Sequence, residues 1–235
     1  MQPRYYHTLT RIGSELVLVG GATSTSKICD AAVFCYNPAT SIWRQLTLCG
    51  EPSLLERTAH AAAPHPTVSS QLIVMGGYGT RHDQGNPACL SDTVVVDITS
   101  GDVRRLVVAS SSFPRTYHSL SSVGRFIIVV GGRTFDPTDR LLTGDDVVAV
   151  LDVQQAQWIT PTVAGTPPQP RSSHRAVVHG NTVLIFGGAG RTRTRLDDLV
   201  GLRVVEQARG LELTWVHPQG STPPGARHEA MKQFS

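Results

Sequence analysis

The stretch Pro170-Arg171-Ser172-Ser173-His174, followed by Val183-Leu184-Ile185-Phe186 and the pair Gly187-Gly188, decides the fold because its pattern occurs four times. Arg4 and His7 lead to Gly20-Gly21, Arg57 and His60 to Gly76-Gly77, and Arg115 and His118 to Gly131-Gly132. The first glycines stand at 20, 76, 131 and 187, a spacing of 56, 55 and 56 residues. Self-similarity at so regular a spacing is the signature of an array built from one supersecondary unit.

Every unit reads as four short strands. The Arg-x-x-His segment opens the first, and a second, such as Leu16 to Val19 or Phe126 to Val130, runs into the glycine pair. The third is Ala31 to Tyr36, Thr93 to Val96, Val147 to Leu151 and Leu199 to Val205 in the successive units, and the fourth carries Trp43, Trp158 or Trp215. These runs are rich in Val, Ile and aromatic residues and are punctuated by Gly, Pro, Asn and Asp. Four strands make one blade of a propeller. The units span approximately 3–50, 56–109, 114–163 and 170–217, with 223–235 as the start of a further one.

An Arg-x-x-His opening, a double glycine after a hydrophobic strand, an Asp before the third strand, then a Tyr and a Trp together resemble the kelch repeat family. The resemblance covers essentially the whole chain. It implies an all-β fold, a kelch-type β-propeller of four four-stranded blades plus the start of a fifth, in one domain over 1–235. Departures are visible: Val103 stands where other units have Trp43 and Trp158, and only Tyr36 keeps the Tyr, against Val96 and Leu151. The fourth unit inserts a longer turn, Glu206 to Leu213, before Trp215.

At the other end, Pro223 to His228 repeats the Pro-x-x-Arg lead-in, with Arg227 placed 56 residues after Arg171. Because kelch-like rings are implied to close at about six or seven blades, the chain is expected to be a fragment or to lack part of its natural sequence. Apolar blade faces at both ends would then have no neighbour. The Pro-rich stretches Cys49 to Pro52, Ser112 to Pro114 and Ala164 to Pro170 read as turns between blades, since proline fixes φ and cannot continue a ladder.

Composition narrows the function. The net charge of +3 is too small for a general nucleic-acid platform, which needs a concentrated basic face. Cys29, Cys35, Cys49 and Cys89 have no C-x-x-C spacing and there is no Asn-x-Ser/Thr acceptor, so neither a zinc knuckle nor a secreted scaffold is indicated. No apolar run reaches the roughly 20 residues that cross a bilayer. The expectation is a soluble, cytoplasmic protein without cofactor or metal.

Groups that recur in every unit read as structure. The glycine pairs suit positive φ or a close approach without Cβ. The Arg-x-x-His pairs suit hydrogen bonds to backbone carbonyls, and the tryptophans suit packing within or between blades. Function is expected where the units differ, in the loops after each glycine pair: Ala22 to Cys29, Tyr78 to Ser91, Arg133 to Gly144 and Ala189 to Leu196. The candidate partner-binding residues are Arg81, His82, Arg133, Arg140, Arg191, Arg193, Arg195, Tyr78 and Phe135. The run Arg191-Thr192-Arg193-Thr194-Arg195 is the densest basic cluster, fitted to forked bonds with an acidic or phosphorylated segment. Its bland alternative is a solvated loop balanced by Asp197 and Asp198.

The expected function is a non-catalytic protein-protein interaction scaffold whose partner is a protein or peptide. The alternative left open is a kelch-fold enzyme of sugar-mutarotase or lyase type, or a propeller appended to a larger enzyme such as a methyltransferase or phosphatase. No nucleophile elbow, P-loop or metal-binding His-Glu motif occurs in these residues.

Overall fold

Each hydrophobic run before a glycine pair forms a strand inside an antiparallel sheet, and its alternation decides what lies on either side. The computed structural model describes residues 2–25, 27–80, 87–109, 113–135, 138–159, 161–207 and 210–217. The first sheet orders Thr8–Ile12, Glu15–Val19, Val33–Asn37 and Ile42–Gln45. The third orders Ser119–Val123, Phe126–Val130, Val148–Asp152 and Gln157–Ile159 in the same way.

The second sheet runs Ala61–Pro64, Gln71–Met75, Thr93–Asp97 and Asp102–Arg105; the fourth runs Arg175–His179, Thr182–Ala189, Arg195–Gln207 and Gly210–Val216. Both gain a fifth, parallel strand at the outer edge, Cys49–Gly50 on the second and Thr162–Ala164 on the fourth. The connectors, expected only to turn, thus also cover outer strands. This satisfies backbone groups that an edge would leave open.

The sheets stand in series with an apolar layer between each neighbouring pair. Val17, Val19, Leu72, Val74, Val94 and Val96 fill the layer between the first and second. Ile73, Met75, Val95, Ile127, Val129 and Leu151 fill the next, and Ile128, Val130, Val150, Val183, Ile185 and Val200 the third. Odd and even residues of one strand point to opposite neighbours, so Leu72 and Val74 face the first sheet while Ile73 and Met75 face the third. That is why these strands are unbroken apolar runs. Partial burial first, then Arg4 and, least, Arg175 of the fourth sheet lower the pKa of His7.

Two expectations are corrected. Glu206 to Leu213 is largely strand, because the third and fourth strands of the last sheet extend as a long hairpin to Gln207 and from Gly210. Trp43 does not pack between sheets; it lies 43% exposed on the first sheet, against Tyr36 at 4.9 Å, with no neighbouring sheet described on that side. Trp215 is buried in the layer between the third and fourth sheets, and Trp158, half-buried, packs against the layer between the second and third. The start of a further unit, 223–235, lies outside the described residues.

Steric need fixes the glycine pairs. At Gly76, φ is +60° and a Cβ would meet the Arg115 carbonyl oxygen at 2.6 Å; at Gly77, φ is +95° and a Cβ would lie 2.7 Å from the Thr58 oxygen. The first glycine of one unit is the floor on which the next unit's histidine rests. That histidine then reaches back: His60 Nε2 and Thr8 Oγ1 are hydrogen-bonded at 2.9 Å, as are His174 Nε2 and Ser119 Oγ.

The middle unit breaks the pattern. At the position of Thr8 and Ser119 the second sheet has Ala61, by its pairing with Met75. Neither ring nitrogen of His118 makes a well-formed hydrogen bond, and the Met75 carbonyl only partly opposes the burial that drives its pKa well down. Ala61→Ser is expected to stabilise the fold by about 1 kcal/mol. Thermal or urea denaturation of the variant checks it, and a loss of stability would contradict it.

Candidate functional site

The repeated arginines build the frame of the site. Nη1 of Arg4, Arg57, Arg115 and Arg171 donates to the carbonyl of its own unit's first glycine, Gly20, Gly76, Gly131 and Gly187, at 3.0, 2.9, 3.3 and 3.0 Å. Arg57 also grips Asp92 bidentately at 2.9 and 2.8 Å, and Arg171 grips Asp198 at 2.8 and 2.7 Å. The Asp198 carboxyl is held below the usual range chiefly by that bond. Asp198 therefore serves Arg171 and does not balance the basic loop that precedes it.

Between the arginine and the histidine, the chain takes a left-handed turn in every unit. Tyr6, Ala59, Tyr117 and Ser173 have φ of 55°, 52°, 55° and 58°. Ser173 N donates to Tyr117 O, Tyr117 N to Ala59 O, and Ala59 N to Tyr6 O, at 2.8, 2.9 and 3.0 Å. These bonds step from sheet to sheet along the Arg-x-x-His segments. Left-handed backbone costs a non-glycine residue energy and persists where its surroundings fix it, as this ladder does.

The variable loops begin beside this ladder. Tyr5 bridges Ala22, Arg57–Thr58 pairs with Tyr78–Thr80, Thr116 bridges Arg133, and Ser172 bridges Ala189. The Arg-x-x-His segments and the starts of the loops thus share one end of the sheets. There, aromatic rings form two groups. Tyr5 meets Tyr6 edge-on at 4.8 Å, Tyr6 meets Tyr117 at 5.2 Å, and Phe135 meets Tyr78 at 6.4 Å. The Arg133 guanidinium lies 5.9 Å from the Phe135 ring centre, and its charge acts to lower the Tyr117 phenol. Burial and then Tyr6 push the Tyr117 phenol up to about 12 all the same, so it stays a neutral donor.

Three of the residues singled out in the sequence, Tyr78, Arg133 and Phe135, are brought together here. Arg133 Nε lies 2.8 Å from Asp139 Oδ1, an ion pair without hydrogen-bond alignment. Arg140 is elsewhere, over the Phe113 ring at 5.3 Å. Arg191, Arg193 and Arg195 are exposed on the loop of the fourth unit, and Arg193 adopts a φ of 59°. Arg81 and His82 lie outside the described residues. Tyr5, Tyr6 and Tyr117 were not singled out, because they occupy the spacer positions of a motif read as structural. Tyrosine at one spacer position in two units, Tyr6 and Tyr117, is the signal that pointed to them.

Sheets built on four antiparallel strands in series, each opened by Arg-x-x-His and carrying a glycine pair after its second strand, define a kelch-type β-propeller domain. Residues 6–233 match the family described as the KLHDC2/KLHL20/DRC7 Kelch-repeats domain, and the chain belongs to that family. It is similar to the tRNA wybutosine-synthesizing protein 2/3/4 of Arabidopsis thaliana, 30% identical over 76% of this chain and 17% of that protein. Acyl-CoA-binding domain-containing protein 5 of the same plant is 26% identical, over 96% of this chain and 34% of its own. The Rab9 effector protein with kelch motifs of Mus musculus is 28% identical, over 81% and 48%. The chain thus spans half or less of the length of these relatives. Among the described residues no helix is long and apolar enough to cross a membrane.

Proposed function

We propose that the chain is a non-catalytic protein-interaction scaffold that presents its loop end to a protein or peptide partner. The observation that carries this reading is the pair of aromatic groups at the loop end, Tyr5 with Tyr6 and Tyr117, and Tyr78 with Phe135 under Arg133, four of the five rings exposed. Tyrosine and arginine dominate the energetics of protein interfaces, and a rigid backbone ladder beneath them lowers the ordering entropy of binding. Arg191, Arg193 and Arg195 extend the surface towards an acidic or phosphorylated segment of the partner. Kelch motifs in a Rab9 effector support the same class of role.

Replacing Tyr78 and Phe135 together with serine is expected to weaken capture of the partner about tenfold or more. Charge reversal of Arg191, Arg193 and Arg195 is expected to abolish it. Both variants keep the circular-dichroism spectrum. Quantitative pull-down with wild type and variants checks this, and undiminished capture by both would remove the loop end as the binding surface. A second reading, a propeller appended to a larger enzyme, is favoured by the match to 17% of a tRNA wybutosine-synthesizing protein. Catalysis would then lie outside these residues.

A further inference from the structure

Arg115 differs from its two buried counterparts. Arg57, Arg115 and Arg171 are 1%, 1% and 2% exposed, yet only Arg57 and Arg171 hold a bidentate carboxylate. The strand pairing gives the reason. The residues opposite Val19, Met75, Val130 and Phe186, just before the glycine pairs, are Val33, Thr93, Val148 and Leu199. The position ahead of each holds Ala32, Asp92, Val147 and Asp198. In the third unit the acid is displaced by one residue, to Asp146, in the 3-10 turn Gly144–Val147, and apolar Val147 takes its place. An Asp thus stands before the third strand of this unit as expected, but one residue out of the register that Asp92 and Asp198 share.

The consequence is a buried cation with no carboxylate within 4 Å among the described residues. Nε of Arg115 donates to Phe113 O and Nη1 to Gly131 O, both at 3.3 Å, longer than most of the corresponding bonds of Arg57 and Arg171. Nη2, which binds the acid in the sister units, makes no hydrogen bond among the described residues. Burial lowers the guanidinium to about 10, and Asp146 draws it back only in part. It remains fully charged at neutral pH, and a buried charge without a partner is costly.

Arg115 lines a groove of about 570 Å³ between the third and fourth sheets. Phe113, Trp158 and Trp215 are also on its walls, and the indole N–H of Trp158 has no acceptor among the described residues. Its volume is in the range of small-ligand and peptide side-chain sites. Aromatic walls around a buried guanidinium whose Nη2 has no hydrogen-bond partner among the described residues fit an anion carried next to apolar groups.

We infer that this groove binds a carboxylate-bearing segment of a protein partner, the Asp or Glu carboxylate reaching Arg115 from the groove and playing the role that Asp92 and Asp198 play on Arg57 and Arg171. The fork of the guanidinium suits a planar carboxylate, and flanking apolar side chains cover the tryptophans. Asp145 and Asp146 also line the groove; their negative charge selects a monoanion over a phosphate dianion. This rests on the reading of the chain as a partner-binding module but uses residues separate from the loop-end rings, so the two fail separately.

The test titrates the 235-residue chain with the blocked peptide acetyl-Leu-Glu-Phe-amide, its Gln counterpart and its phosphoserine counterpart, read by calorimetry and tryptophan emission. The Glu peptide is expected to bind and to shift the emission, with the Gln and phosphoserine peptides about tenfold weaker or more. Val147→Asp returns the acid to its register. It is expected to raise the melting temperature and to remove Glu-peptide binding, whereas Tyr78→Ser with Phe135→Ser leaves that binding intact. Should Val147→Asp fail to fold, Arg115→Lys keeps the charge without the fork and is expected to weaken the Glu peptide about tenfold. Equal affinity for Glu and Gln, no binding at millimolar peptide, tighter phosphoserine binding, or full binding by a folded Val147→Asp would each overturn the inference.

Discussion

Arg57→Ala is expected to destabilise the fold by about 3–5 kcal/mol, the range found when one partner of a buried charge pair is removed. Every donor edge of this guanidinium is used: Nε to Leu54 O at 2.6 Å, Nη1 to Gly76 O and Asp92 Oδ1 at 2.9 Å, and Nη2 to Asp92 Oδ2 at 2.8 Å. Truncation strands the Asp92 carboxylate, which is only 13% exposed, and leaves two carbonyls without their donor. The loss is not confined to one sheet. The Arg57 carbonyl accepts from Gly21 N at 2.9 Å, which ties the second unit to the first.

Two comparisons isolate the cause. Arg57→Ala with Asp92→Asn should cost less than Arg57→Ala alone, since no uncompensated carboxylate remains. Arg4→Ala, where the arginine is half-exposed and Ala32 stands in the acid's position, should cost about 1 kcal/mol or less. Urea denaturation of the three variants measures these differences. If Arg57→Ala and Arg4→Ala were equally mild, the buried pair would not be a principal element of the frame.

The repeat that fixes the fold is legible because it needs only residue type and spacing. Gly76 and Gly77 follow a strand, and Arg57 and His60 precede it, in every copy alike. Pairing register is not legible at the same level. Asp145-Asp146 looks as well placed as Asp92 or Asp198, and only the alignment of Val130 with Val148 shows that Val147 holds the acid's position. A one-residue offset inside a short turn leaves no periodic trace, yet it leaves Arg115 without an acid.

Loop residues were legible in kind and not in grouping. Tyr78 and Phe135 lie in different units and meet only because neighbouring sheets set their loops side by side. Arg140 belongs to the same loop as Phe135 but turns to Phe113. Tyr6 and Tyr117 escaped notice because a spacer position in a motif carries no expectation until its left-handed turn shows that the side chain is held apart from the strands.

Acidification is expected to unfold the domain early, beginning below pH 6.5 and largely complete near pH 4–5. His60 and His174 are buried, and burial first, then the arginine three residues earlier, lowers them from 6.5 to about 3. His118 is also lowered well below 6.5. Between the two values the unfolded chain takes up a proton on each histidine that the folded chain refuses. Stability is therefore intact above 6.5 and declines as pH falls towards the folded values. Each histidine contributes a slope of about 1.4 kcal/mol per pH unit once titrated, so three give about 4. For a domain in the lower half of the typical range of about 5–15 kcal/mol, about two pH units suffice. The carboxylates act later: Asp97 and Asp198 are lowered from 3.8 and Glu15 from 4.5, so their contribution is lost only below those values. Tryptophan emission and far-ultraviolet circular dichroism across the pH range, at fixed ionic strength, read the transition. His118→Gln should flatten the slope of stability against pH by up to about a third, since it removes one of the three most deeply buried histidines, beside the smaller contributions of His7 and His65. A stability that stays level from pH 6.5 to 5 would mean that these imidazoles are protonated in place, and that the packing of each histidine on the glycine of the unit before it tolerates charge.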